Sequence, residues 1–164
     1  MFSKILTTAV FLSTLSFQVY AHALVAPALG VLGVPVKDDV QRPNATAPCG
    51  AVNVTLATVD SSKFAKAGPL GRFNATAIAF TNGTDGSTFF KARVNDDATG
   101  KGFVPMNITM NGDRAPATPG LQPIEAILPA GTKCTGGSSK DKCLVEFVST
   151  AGFGNCVVVA KAAA

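Results

Sequence analysis

Phe73-Asn74-Ala75-Thr76-Ala77-Ile78-Ala79-Phe80, followed almost at once by Asn82-Gly83, is the stretch on which the fold turns. Phe73, Ala75, Ala77 and Ala79 occupy every second position, with Asn74 and Thr76 between them. That is the period of a half-buried strand and not of a helix. Asn-Gly then supplies the left-handed backbone that a tight reversal needs. Working outward, Ala51–Val59 alternates in the same way, and further strand signals fall at Phe89–Val94, Met106–Met110, Ile124–Leu128, Cys143–Val148 and Cys156–Val159. Asn111-Gly112 and the Gly152–Gly154 segment mark more reversals. No long stretch has helical periodicity. These spacings predict an all-β fold: a single β-sandwich domain of about seven short strands. The Pro- and Gly-rich segment from His22 to Pro48 is expected to be irregular and to wrap the sandwich.

The ends set the compartment. Met1–Lys4 is a short basic start, Ile5–Phe17 is apolar, and Val19 and Ala21 sit at the −3 and −1 positions of a signal-peptidase site. Residues 1–21 therefore read as an export signal and 22–164 as the secreted domain. Cleavage after Ala23 is the competing site, and it would remove His22. The apolar run is shorter than the ~20 residues needed to span a bilayer. The C-terminal tail carries a lysine and lacks the polar spacer of a lipid-anchor signal. Losing Lys4 leaves 13 basic against 10 acidic side chains. They are scattered singly and in pairs, which reads as a solvated surface and not as a nucleic-acid patch.

Four cysteines in an exported chain imply two disulfides, with three connectivities open. Cys134 and Cys143 enclose a polar, glycine-rich loop suited to a staple, which leaves Cys49 for Cys156. No Cys-x-x-Cys pair supports a zinc site. Five of the eight asparagines lie in Asn-x-Thr motifs: Asn44, Asn53, Asn74, Asn82 and Asn107. Together, behind a signal, they predict an N-glycosylated protein with these residues on turns or solvent-facing sides.

Catalytic chemistry is poorly provided for. His22 is the sole histidine, so a Ser-His-Asp arrangement would have to use the chain terminus. Ten carboxylates are present, mostly in turn-rich loops, and nothing singles out an acid–base pair. With no Trp, and with Tyr20 leaving in the signal, sugar stacking on aromatic faces is also disfavoured. The loop Asn95–Gly102 holds adjacent acids and two glycines. It reads either as a functional loop or as an Asx-type turn in which Asn95 or Asp96 bonds nearby amides.

An N-terminal histidine offers one alternative. Its α-amine and imidazole can both ligate copper, the arrangement of lytic polysaccharide monooxygenases. Those proteins use a second histidine, which this chain lacks, so the alternative is a copper-binding β-sandwich using His22 with Asp96 or Asp97.

Three motifs resemble a known family. Pro27-Ala28-Leu29-Gly30-Val31 with Gly33, Val94-Asn95-Asp96-Asp97-Ala98-Thr99-Gly100, and Cys143-Leu144-Val145 with Ala151-Gly152-Phe153-Gly154-Asn155-Cys156 are similar to motifs of the fungal Gas/Egh-type secreted proteins. The match departs at Ala98 and Asn155, where the family has glycine, and a proline is missing before Phe153. The resemblance implies a secreted, non-enzymatic, virulence-factor-like protein acting at the fungal surface or in host or substrate contact. It implies no cofactor. The expected partners are cell-wall or host-surface components, without nucleic acid or membrane.

Overall fold

The computed structural model describes residues 22–161. The expected signal peptide, residues 1–21, lies outside them. Eight strands form one sheet: β1 (Ala23–Ala26), β2 (Phe64–Ala67), β3 (Arg72–Ala79), β4 (Phe90–Asn95), β5 (Val104–Met110), β6 (Gly120–Ile127), β7 (Lys142–Ser149) and β8 (Gly154–Lys161). Their spatial order is β1-β3-β6-β5-β4-β7-β8-β2, antiparallel except for the β2–β8 pair. The sheet folds over at β5. Val104 and Met106 pair with β4, whereas Asn107 and Ile108 pair with β6, so one strand serves both halves. The halves face each other as the two layers of an all-β, disulfide-stapled sandwich.

Alternation decides what lies between the layers. Phe73, Ala75 and Ala77 of β3, Phe90, Ala92 and Val94 of β4, and Cys143, Val145 and Phe147 of β7 all join one buried cluster. The Phe90 and Phe147 rings meet edge to face at 6.2 Å. The long apolar runs of β7 and β8 have a different cause, because both faces of these strands are covered. Leu144, Cys156 and Val158 point outward into a second cluster with Leu29, Cys49, Val59 and Ala98. That cover comes from the segment after β1, pinned by Leu29 N–H to Cys156 O (2.8 Å) and by reciprocal bonds between Gln41 and Gly154.

Three expectations need correction. The segment His22–Pro48 is not wholly irregular, since β1 opens it and pairs Ala23 with Ala79. Phe64–Ala67, unassigned from sequence, forms β2 beside β8. Ala51–Val59 is not a strand. Val52 and Val54 do turn inward between exposed neighbours, as the alternation required, but no strand pairs with them. The chain then enters helix α1 (Leu56–Ser61). Thr55 Oγ1 caps it by accepting from Thr58 N–H at 3.1 Å. Ser62 ends it, its hydroxyl donating to Thr58 O and accepting from Gly30 N–H.

Both disulfides join the cysteines that the loop argument paired, Cys49 with Cys156 and Cys134 with Cys143. The first fastens the wrapping segment to β8 across 107 positions of sequence. The second closes the loop before β7.

Candidate functional site

The residues that sequence reading singled out do not meet at one place. His22 stands at the entrance to β1. Its carbonyl accepts from Phe80 N–H (2.7 Å), and its ring packs edge-on against Phe153 with centroids 5.9 Å apart. The Arg42 guanidinium lies over the Phe153 ring at 4.3 Å. Burial, then Lys37 and Arg42, push the His22 imidazole below its ordinary pKa, while Asp85 pulls the other way. Asp96 and Asp97 are absent from that environment. Among the described residues no group of three or more His, Cys, Asp and Glu side chains is placed to hold a metal. The expected set of His22 with Asp96 or Asp97 is therefore not assembled. The acids belong to the β4–β5 loop, whose own geometry consumes them.

That loop is an Asx-type turn, with a correction to its members. Asn95, only 2% exposed, accepts from Gly100 N–H (2.8 Å) and donates to Asp97 Oδ1 (2.6 Å) and Lys101 O (2.5 Å). Asp97, not Asp96, is the carboxylate that closes the turn. Its Oδ1 also accepts from Thr99 N–H (3.1 Å) and Thr99 Oγ1 (2.7 Å). Burial would raise the Asp97 pKa, but the Thr99 and Asn95 donors outweigh it and hold the carboxyl below its ordinary value. Asp96 contributes its backbone, accepting from Thr135 N–H. Ala98 sits at φ 52°, a backbone glycine would adopt more readily. Gly136 packs so closely that a Cβ there would lie 2.4 Å from the Ala98 methyl. With α1, the turn borders a cleft of about 230 Å³ lined by Val54, Leu56, Val59, Asp97 and Thr99.

The two strand carboxylates are both paired across the sheet. Glu146, 2% exposed at its side chain, takes a bidentate bond from Arg93 at 2.5 and 2.7 Å. Glu125 accepts from Thr109 and Arg72, and these donors depress its pKa against a smaller opposing effect of burial. A general acid needs the opposite shift. Sequence reading missed a further cluster. Asp60 accepts from Ser138 N–H (3.0 Å), the Ser138 hydroxyl and Lys142 Nζ (2.9 Å). The Ser138 hydroxyl, then Lys142, hold the Asp60 carboxyl at about 2. A group so acidic is a poor proton acceptor near neutrality, and its effect is to join α1 to the Cys134–Cys143 loop.

Asparagine gives the clearest pattern. All five sequon residues, Asn44, Asn53, Asn74, Asn82 and Asn107, are exposed. Asn74 and Asn107 project from the outer side of β3 and β5, between inward-facing neighbours. Asn44 turns its Oδ1 toward Thr46 N–H, Thr46 Oγ1 and Ala47 N–H, which engages the oxygen and not the Nδ2 that takes a glycan. The three asparagines outside sequons all clamp backbone. Asn95 does so in the loop. Asn111 accepts from Phe90 N–H (2.9 Å) and donates to Phe90 O (2.7 Å). Asn155 does the same to Val25, at 2.7 and 2.8 Å. One sequence signal marks these three: an asparagine at or just past a strand end with no hydroxyl residue two positions on.

Comparison of the chain with protein-family models, with curated proteins and with solved structures found no match.

Proposed function

We propose that this chain is an exported, N-glycosylated, non-enzymatic surface protein that makes contacts at the fungal cell surface or with a host or substrate. The partition of the asparagines carries the reading. Every residue in a glycan-acceptor motif faces solvent, and every residue outside one is used inside the fold. Glycosylation needs an accessible amide, since a glycan cannot be packed in a core. The two disulfides suit an oxidising compartment. No helix among the described residues is long and apolar enough to cross a membrane. The motifs shared with the Gas/Egh-type proteins support the surface role, and their middle motif supplies the Asx turn just described.

The same reading favours His22 as the first mature residue. Ala23 is fully buried and paired with Ala79, and His22 O holds Phe80 N–H, so cutting after Ala23 would remove the first rung of β1. Expression in a eukaryotic secretory host tests the proposal. Intact mass and terminal sequencing should give a chain that begins at His22, with three or more of the five sequons occupied. Unchanged electrophoretic mobility after endoglycosidase treatment would sink the glycoprotein reading. The contact role is tested by capture from fungal wall glycans and host-surface extracts, and failure to retain either overturns it.

A further inference from the structure

We propose that the β2 end of the sandwich is a cationic face that binds a carboxylate-bearing polysaccharide. Its charges lie far apart in sequence, and the strand ladders gather them. Lys66 of β2 and Lys142 of β7 both pair with Ala160 of β8 or lie across it in register, so they share one outer face. Their neighbours Ala65, Cys143 and Val159 point the other way, into the core. Lys63 precedes Phe64, whose ring lies 6.0 Å from Lys142 Nζ. Lys161 reaches Thr132 O at 3.1 Å, beside Lys133, and Lys140 stands in the loop that Gly136 closes onto Lys142. Six lysines thus stand against two acids, Asp60 and Asp141, whereas the rest of residues 22–161 holds seven basic and eight acidic side chains. The positive surplus is local to this end.

The fold itself does not need this concentration. A lysine on β2, an outermost strand, would guard that edge against pairing with another chain, but Lys133 and Lys140 lie off the strand. Both acids are engaged, Asp60 by Lys142 and Asp141 by the Ser139 hydroxyl. Lys63, Lys66, Lys133 and Lys140 are exposed, and no ion pair among the described residues uses them. The Cys134–Cys143 bond holds the loop that carries two of them. Separate point charges suit single charges spaced along a polymer. A phosphate is better held by converging backbone amides or an arginine fork. Here the Ser138 amide is already taken by Asp60, and Arg72 and Arg93 are bound to Glu125 and Glu146. That favours carboxylates over phosphates, and a polysaccharide over a nucleic acid. No sequon falls on β2, β7, β8 or the loop before β7; Asn74, on β3, comes to the border of the face, lining one cleft with Lys66.

This names a partner class for the surface role proposed above and rests on it. The test uses the purified secreted protein and defined polymers, so capture from whole wall through another face would leave that role standing while this face fails. Binding to polygalacturonate is followed by calorimetry across a range of salt concentrations. The logarithm of affinity should fall against the logarithm of salt with a slope of about −3, roughly 0.7 for each of four neutralised lysines. Lys66→Gln with Lys140→Gln should weaken binding roughly tenfold and halve that slope. Lys91→Gln with Arg114→Gln removes the same charge at the other end of the sandwich, where Lys91 lies opposite Val148. That pair should change the affinity by less than about twofold, because salt screens distant charges. All four side chains are exposed, and thermal melts check that each variant is folded. Equal losses in the two pairs, or no binding to polygalacturonate, overturn the proposal. Tighter binding to a phosphate-bearing mannan or to duplex DNA than to polygalacturonate overturns it as well.

Discussion

Replacing Asn155 by alanine should weaken the fold more than any other single polar substitution outside the disulfides. Asn155 is 2% exposed, and its amide stands in for a strand rung between the outer edge of β1 and the start of β8, which the β2 ladder at Val158–Lys161 does not reach. Three bonds disappear with it, but they do not count equally. Cys156 O keeps Leu29 N–H as a donor, so losing the Asn155 bond at 2.9 Å leaves it satisfied. Val25 N–H and C=O lose their partner outright, on a residue with no exposed surface. Each stranded buried group costs about 1–3 kcal/mol, so Asn155→Ala should destabilise by about 3–4 kcal/mol in total. Urea denaturation of the unglycosylated protein reads this directly. With a slope in the ~1–3 kcal/mol/M range, the midpoint should fall by about 2 M with the slope unchanged. Asn53→Ala, at an exposed sequon residue, serves as the control and should shift it by less than ~0.5 kcal/mol. A loss under ~1 kcal/mol for Asn155→Ala would refute the clamp, because water or a backbone shift would then be satisfying Val25.

Asp97→Ala should cost about 1 kcal/mol by removing the acceptor of the Asx turn, and Asp96→Ala close to nothing. Sequence reading gives the turn's side-chain role to Asn95 or Asp96 and not to Asp97, and thermal melts of the two variants decide it. Asp60 has a folded pKa of about 2 against an ordinary 3.8, so its contribution is complete above that range and is lost as pH falls toward 2. The melting-temperature gap between wild type and Asp60→Asn should therefore stay constant from pH 7 to 5 and close between about 4 and 2. A gap that persists at pH 2 removes Asp60 from the staple. In the chain-entropy view the Cys49–Cys156 bond, which spans 107 positions, is worth about 5 kcal/mol, and the Cys134–Cys143 bond, which spans 9, about 3. Pairwise Cys→Ser variants compared by denaturation should keep that order.

Where the sequence was legible, the cause was local. β3 through β8 each carry alternation or a continuous apolar run long enough to declare a strand. β1 and β2 are four residues each, Ala23-Leu24-Val25-Ala26 and Phe64-Ala65-Lys66-Ala67. Neither is long enough to show a period, and β2 is specified by a parallel partner some ninety positions away. Ala51–Val59 failed in a different manner. Its first half is extended with the inward residues correctly placed, but alternation reports which side chains are buried and not whether a partner strand exists. Thr55 then offered a cap, and local hydrogen bonding turned the second half into helix. Asp60, Ser138 and Lys142 left no trace because the two partners of Asp60 lie 78 and 82 positions from it. The choice of Asp97 over Asp96 hung on the backbone at Ala98, which composition does not report.

The asparagines show how far one residue type can be read when its chemistry is complete. The side-chain amide offers two donors and an acceptor with two lone pairs. A fold must either match them or leave them to water, since burial without partners is expensive. In a strand-rich chain the cheapest match is another residue's own N–H and C=O, which an amide meets in the same reciprocal pattern as a β-bridge. Asn111 and Asn155 do this where the strand ladders do not reach: at the β4–β5 corner beyond their paired residues, and at the seam between β1 and β8. An asparagine used so cannot present Nδ2 to a glycosyltransferase, and one that presents it cannot close a seam. The two uses exclude each other at any one position, so the Thr two residues on separates seam-closing asparagines from solvent-facing ones. The test of that logic is to move the hydroxyl. Val157→Thr would create an Asn155 sequon, and it should remain unglycosylated in a secretory host because Asn155 is committed to Val25.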